Sequence, residues 1–175
     1  MKKKVNPFDY ASHICQALKP YGILLTTARG DQVNTMTIGW GTIGVDWSRP
    51  VFIAYVRESR FTRELLDETG EFTVNIPMWE VDPKILGYCG TKSGRDTDKI
   101  ADMGLHMVES DVVAVPGFAE FPLTLECKVL YKEEQDLRRI PEDILARYYP
   151  DGDHHHVYYG QIVNAYLIEN QAVSE

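Results

Sequence analysis

A chain of 175 residues with 18 Lys+Arg against 26 Asp+Glu has the length of one domain and a formal net charge of -8. That acidity speaks against general nucleic-acid binding, which needs a basic surface, and 44% hydrophobic with 25% charged residues describes an ordinary soluble, folded protein. No apolar run reaches the roughly 18–20 residues of a membrane span, and the three scattered cysteines, Cys15, Cys89 and Cys127, suggest a reducing cytoplasm without a disulfide framework.

In chain order, the lysines at 2–4 begin like a signal peptide, but VNPFD at 5–9 is no apolar segment to follow them. Residues 21–28 (YGILLTTA) read as a strand, a turn follows at Gly30-Asp31, and 33–38 (VNTMTI) read as a second strand. Residues 39–44 (GWGTIG) fit the dinucleotide pattern GxGxxG, but the sequel VDWSRP cannot open the helix that such a site requires. Small residues in a strand pair, where a backbone or flat ligand comes close, fit better. Residues 50–56 form an apolar third strand. Ser59 is placed to cap a helix over 60–68 that Gly70 ends. Residues 71–76 (EFTVNI) alternate, which predicts a strand with a wet or functional face at Thr73 and Asn75. Short helices follow at 83–89 and at 97–103, the latter capped by Asp96 and stopped by Gly104. A long strand at 121–131, a helix at 141–148 opened by Pro141, and a last strand at 157–168 complete the chain. Most strands succeed one another without a helix between them. The fold class is therefore α+β, mainly β and antiparallel, in the form of a small barrel with short peripheral helices.

Positive charge is concentrated. Residues 57–63 (RESRFTR) carry a net +2 and residues 90–99 (GTKSGRDTDK) a net +1, so 6 of the 18 basic residues fall within 17 positions. Both segments bring hydroxyls (Ser59, Thr62, Thr91, Ser93) to a helix start, where backbone N–H groups with Arg or Lys suit a phosphate. The strand at 33–38 beside Trp40 offers an apolar wall and backbone hydrogen bonds to the edge of a flat heteroaromatic.

The succession of NTMTIGW at 34–40, RP at 49–50, SRFT at 59–62, EFTVNIP at 71–77, CGTKSGRDTDK at 89–99 and HVYYGQI at 156–162 resembles the flavin reductase-like family, its flavoredoxin branch most of all. The likeness spans about residues 18–168 and makes residues 1–175 one domain. It implies an FMN-binding split β-barrel that forms a homodimer. The activity implied is an FMN-dependent oxidoreductase passing hydride or electrons between NAD(P)H or a reduced protein and a small-molecule or protein acceptor. The resemblance assigns Thr35, Met36, Thr37 and Ile38 to the isoalloxazine edge and Trp40 to the ring or barrel wall. It assigns Arg57, Ser59, Arg60 and Thr62 to ribityl and phosphate oxygens, Asn75 to the strand beneath the flavin, and Cys89, Gly90, Ser93 and Lys99 to the phosphate end. Catalytic residues are not named by it, and neither nucleic acid nor membrane is expected as a partner. The alternatives are an FMN-binding electron carrier without nicotinamide activity and a binding module that has lost flavin.

The tract His154-His155-His156 invites a metal reading. Adjacent strand residues point to opposite faces and no ligand set is evident, so no metal is expected. His156 is expected to approach the flavin or substrate. Cys89 reads either as a reactive thiol or as a small buried residue, and Tyr158 and Tyr159 as barrel and interface aromatics.

Overall fold

The computed structural model describes residues 1–169. The β-formers of the chain produce ten strands: β1 (Lys2–Lys4), β2 (Ile23–Arg29), β3 (Gln32–Ile38), β4 (Gly41–Asp46), β5 (Arg49–Arg57), β6 (Glu71–Ile76), β7 (Met107–Val108), β8 (Gly117–Phe118), β9 (Leu123–Glu134) and β10 (His155–Ile168). Eight form one antiparallel sheet in the order β3-β2-β6-β9-β10-β5-β4, with β1 added alongside β10; β7 and β8 pair separately. β3 and β4 end the path without pairing to each other, so the sheet curls without closing: a split barrel. The antiparallel α+β expectation holds.

The barrel interior is filled by alternate residues of these strands, among them Leu25, Phe52, Phe72, Val74, Leu125 and Tyr158. Each large side chain withdrawn from water contributes about 1.5–3 kcal/mol, which is why the strands keep their period-two pattern. Among the described residues five short α-helices lie outside: α1 (Ala11–Leu18), α2 (Phe61–Thr69), α3 (Pro83–Thr91), α4 (Lys99–Asp102) and α5 (Glu142–Tyr148). None of the described helices is long and apolar enough to cross a membrane.

Two expectations are corrected, one is met, and one element is new. The segment before Pro20 contains an unanticipated helix, α1, which docks Ile14 and Leu18 in the core. The glycine-rich stretch after Gly39 is strand β4, paired along β5, in keeping with the declined dinucleotide motif. The helix expected from Thr97 starts at Lys99 instead, because the Asp98 carboxylate accepts from the Ile100 and Ala101 N–H groups and Asp98 is thereby the N-cap. The second face of β6 is dry: Thr73 and Asn75 are fully buried. There Thr26 Oγ1 donates to Asn75 Oδ1 at 2.8 Å, and Thr73 Oγ1 donates to the Pro116 carbonyl at 2.7 Å. Polar side chains that satisfy one another can be buried at little cost.

Candidate functional site

Two elements of unlike origin meet at the site. β5 ends at Arg57 and turns into α2, while the segment between α3 and α4 carries residues 92–98 back across β3. Between them lies a cavity of about 180 Å³, lined by Met36, Ser59, Arg60, Thr62, Ser93 and Lys99 among others. It shares Met36, Arg57 and Arg60 with a second cavity of about 160 Å³, whose remaining wall is Thr37, Ile38, Gly39, Trp40, Tyr55 and His155. One cleft therefore runs from a hydroxyl- and cation-rich end to an end walled by aliphatic and aromatic groups.

The polar end owes its shape to the Asn34 side chain lying against the Gly94 backbone. A Cβ on Gly94 would stand 2.0 Å from Asn34 Oδ1 and 3.1 Å from the Phe61 ring, so any side chain there would displace the Asn34 amide. Asn34 in turn donates to Thr62 Oγ1 at 2.8 Å, tying β3 to the first turn of α2.

Five cations line this end, Arg57, Arg60, Lys92, Arg95 and Lys99, against one carboxylate, that of Asp153. Several are held in place by the fold. Arg57 donates to the Asp153 and Tyr148 carbonyls at 2.9 and 3.0 Å, and its guanidinium lies over the Tyr149 ring. Arg95 donates to the Ser59 carbonyl at 3.2 Å and pairs with Glu64. Lys99 is 5% exposed and donates to the carbonyls of Thr35 and Cys89 at 2.7 and 3.1 Å. Burial pushes its ammonium down to about 8. Arg60 and Lys92 have no ion-pair partner among the described residues.

Ser59 does not cap α2 as expected: Arg60 holds the N-cap position without a side-chain cap bond. Ser59 N and Oγ instead donate to the two carboxylate oxygens of Asp153, each at 2.9 Å. These donors already hold an anionic group, which shows the kind of partner their geometry accepts.

At the other end Trp40 and His155 pack with ring centroids 4.9 Å apart. His155 Nδ1 is 2.7 Å from the Tyr149 hydroxyl, which itself donates to Gln135 Oε1, so the imidazole presents its Nδ1–H to that oxygen. Burial first, and the neighbouring Arg57 second, push His155 down to about 4, leaving it neutral near pH 7.

Of the residues singled out in the sequence, Met36, Thr37, Ile38, Trp40, Arg57, Ser59, Arg60, Thr62, Ser93 and Lys99 line the cleft. Thr35 borders a neighbouring cavity of about 610 Å³ beyond Arg95 and Lys99. Its hydroxyl turns away toward Thr26, at 3.0 Å. Asn75 belongs to the buried network behind β2. Cys89 is wholly buried, with its thiol pushed up to about 11 by burial, so the inert reading of this residue fits and the reactive one does not. Gly90 packs against Thr37: a Cβ there would stand 3.3 Å from the Thr37 Cβ. The histidine facing the cleft is His155, one residue before the one expected. Asn34 and Arg95, each part of a segment read from the sequence as ligand-facing, also line the cleft, as do Tyr55 and Asp153. Arg95 belongs to the basic segment at 90–99, whereas Asp153 arrives from a distant loop and has no local signal in the sequence.

Comparison with known proteins identifies the family and the fold. A family model described as "flavin reductase like domain" matches residues 18–174. An uncharacterized protein of Archaeoglobus fulgidus is 31% identical over 122 residues, which are 70% of this chain and 68% of that one. Among solved structures, flavoredoxin of Desulfovibrio vulgaris (Miyazaki F) is 25% identical with a TM-score of 0.65, covering 86% of this chain and 70% of the other. An FMN-binding domain of a flavin reductases-like enzyme from Shewanella baltica has the same fold at 18% identity and a TM-score of 0.64, covering 95% and 77% of the two chains.

Proposed function

The chain belongs to the flavin reductase-like family, and from that premise we propose that it binds FMN in the cleft and acts as an FMN-dependent oxidoreductase. The observation that carries this reading is the set of five cations around the polar end of the cleft in a chain of net charge -8. A phosphate monoester near neutral pH carries between one and two negative charges and asks for such an array. Arg60, Thr62, Ser93 and Lys99 would hold the phosphate, with Ser59 fixing Asp153 at its edge, and the Met36, Ile38 and Trp40 walls with the β3 backbone would flank the ring.

Bound FMN supplies the hydride and electron chemistry, between NAD(P)H or a reduced protein and a small-molecule or protein acceptor. The chain's own residues bind, orient and shield. Arg57, locked on two carbonyls, sets the width of the cleft where its two ends join. His155, neutral and fixed through Tyr149, holds Trp40 in place without adding charge beside the ring. No residue of the cleft is needed as an acid or base for the transfer itself.

We also assign a cytoplasmic homodimer. In support, Trp47, Tyr131 and Tyr159 form an aromatic patch with neighbouring ring centroids 5.2 to 6.3 Å apart, and Trp47 is 55% exposed, which suits an interface. Free cysteines, Cys15 exposed among them, suit a reducing compartment.

The test compares FMN with riboflavin by fluorescence titration. FMN should bind far more tightly than riboflavin. Arg60→Ala should weaken FMN by about 10–100-fold, the loss of one charged hydrogen-bonding partner, and leave riboflavin unaffected. Equal affinities for both flavins would overturn the phosphate assignment.

A further inference from the structure

His154 and His156 stand two residues apart and so share a face, while His155 between them turns to the cleft. Their rings lie 5.1 Å apart at 32°. His156 is 3% exposed and its Nε2 contacts the Glu58 carboxylate, which comes from the turn between β5 and α2. Glu134, at the end of β9, brings Oε2 to 3.6 Å from His154 Nε2 and Oε1 to 3.9 Å from His156 Nδ1. Ligand atoms of Glu58, His154 and His156 all lie within 4.8 Å of one another. Donors bound at ~2.0–2.2 Å to one zinc-class ion stand about 3–4 Å apart, so small side-chain movements suffice.

A second observation points to a ligand. His154 Nε2 and His156 Nδ1 are buried and have no hydrogen-bond partner among the described residues. Native proteins rarely leave such atoms unsatisfied, because each costs free energy. Arg63, the nearest cation, has Nε 3.6 Å from Glu58 Oε2, but that nitrogen already donates to the Glu58 carbonyl and Nη1 to Asp67.

We infer that Glu58, His154 and His156 form a binding site for a divalent transition-metal ion of the zinc class. Imidazole nitrogen with carboxylate oxygen suits these borderline cations and not calcium or magnesium. Three protein ligands leave the fourth position of a tetrahedral ion to water. The ion would clamp the end of β5 to the start of β10, behind the turn that carries Ser59. Glu58 and Glu134 reach solvent and give it a way in. The site does not depend on flavin.

The experiment uses the full chain without an affinity tag, stripped with a chelator and titrated with Zn(II) against a chromogenic competitor. One ion per chain is expected, at micromolar affinity or tighter, and Co(II) should develop the visible bands of a four-coordinate ion. His154→Gln, His156→Gln and Glu58→Gln should each weaken Zn(II) by more than about 100-fold, beyond what loss of a mere supporting partner costs. His106→Ala, at an exposed histidine far along the chain, should change nothing. Circular dichroism and FMN titration accompany each variant. If His156→Gln fails to fold, Glu58→Gln and His154→Gln, both at solvent-touching positions, decide. Absence of a stoichiometric Zn(II) site, or one that persists in folded His154→Gln and Glu58→Gln, overturns the assignment. Retention of FMN by those variants separates this result from the flavin reading.

Discussion

Lys99 is the cation of the cleft whose charge depends most on conditions. Two of its ammonium protons go to backbone carbonyls, and a neutral amine could still serve both. Little in its surroundings therefore holds the proton against burial, which lowers the group to about 8. The sign for ligand binding follows. Below that value Lys99 is charged and attracts the phosphate; above it one positive charge leaves the cleft. FMN affinity should fall roughly 3–10-fold between pH 7 and pH 9, as expected for the loss of one partly screened charge. Lys99→Met should bind more weakly at pH 7 and show no such slope. The same slope in Lys99→Met would place the titration elsewhere. At this scale the sequence is informative about charge, because 57–63 and 90–99 are basic against an acidic background. It is less informative about direction. Whether His155 or His156 meets the cleft depends on where β10 starts, and a shift of one residue exchanges the two faces of a strand.

Elements joined by repeating patterns are legible, and those joined by single distant contacts are not. β2, β3, β5 and β6 announce themselves by β-branched and alternating residues. Helix α1 is hidden: eight residues between Pro7 and Pro20, with no side-chain cap at its N-terminus, held by docking Ile14 and Leu18. The segment that follows β7 is equally silent in sequence. It is fixed by Glu126, a fully buried carboxylate that accepts the N–H groups of Asp111, Val112 and Val113 at 3.0, 2.7 and 3.0 Å and the Asn164 amide at 2.8 Å. Glu126→Ala would leave these donors unmatched, Val113 N–H in a buried position. The cost should be about 2–3 kcal/mol, or roughly 5–10 °C in Tm for a chain of this size. A change in Tm below about 2 °C in thermal unfolding would show that this carboxylate does not hold the segment.

For the molecule as a whole, the antiparallel sheet order explains why the cleft forms where it does. β3 and β4, adjacent in sequence, end the sheet path without pairing, and the split between them leaves the β3 edge facing the turn after β5. The barrel is readable from strand succession alone, but its opening is not, since it depends on which strands fail to pair. Charge is then distributed to match: acidic over most of the chain, basic at one end of one cleft. A flavin mononucleotide meets both demands, a phosphate for the cations and a flat ring for the apolar wall. The most direct test is the visible absorption spectrum of the full chain after incubation with FMN and removal of free ligand by gel filtration. The account predicts flavin bands that travel with the protein, about one FMN per chain, released intact on denaturation. A colourless protein after saturating FMN would contradict it.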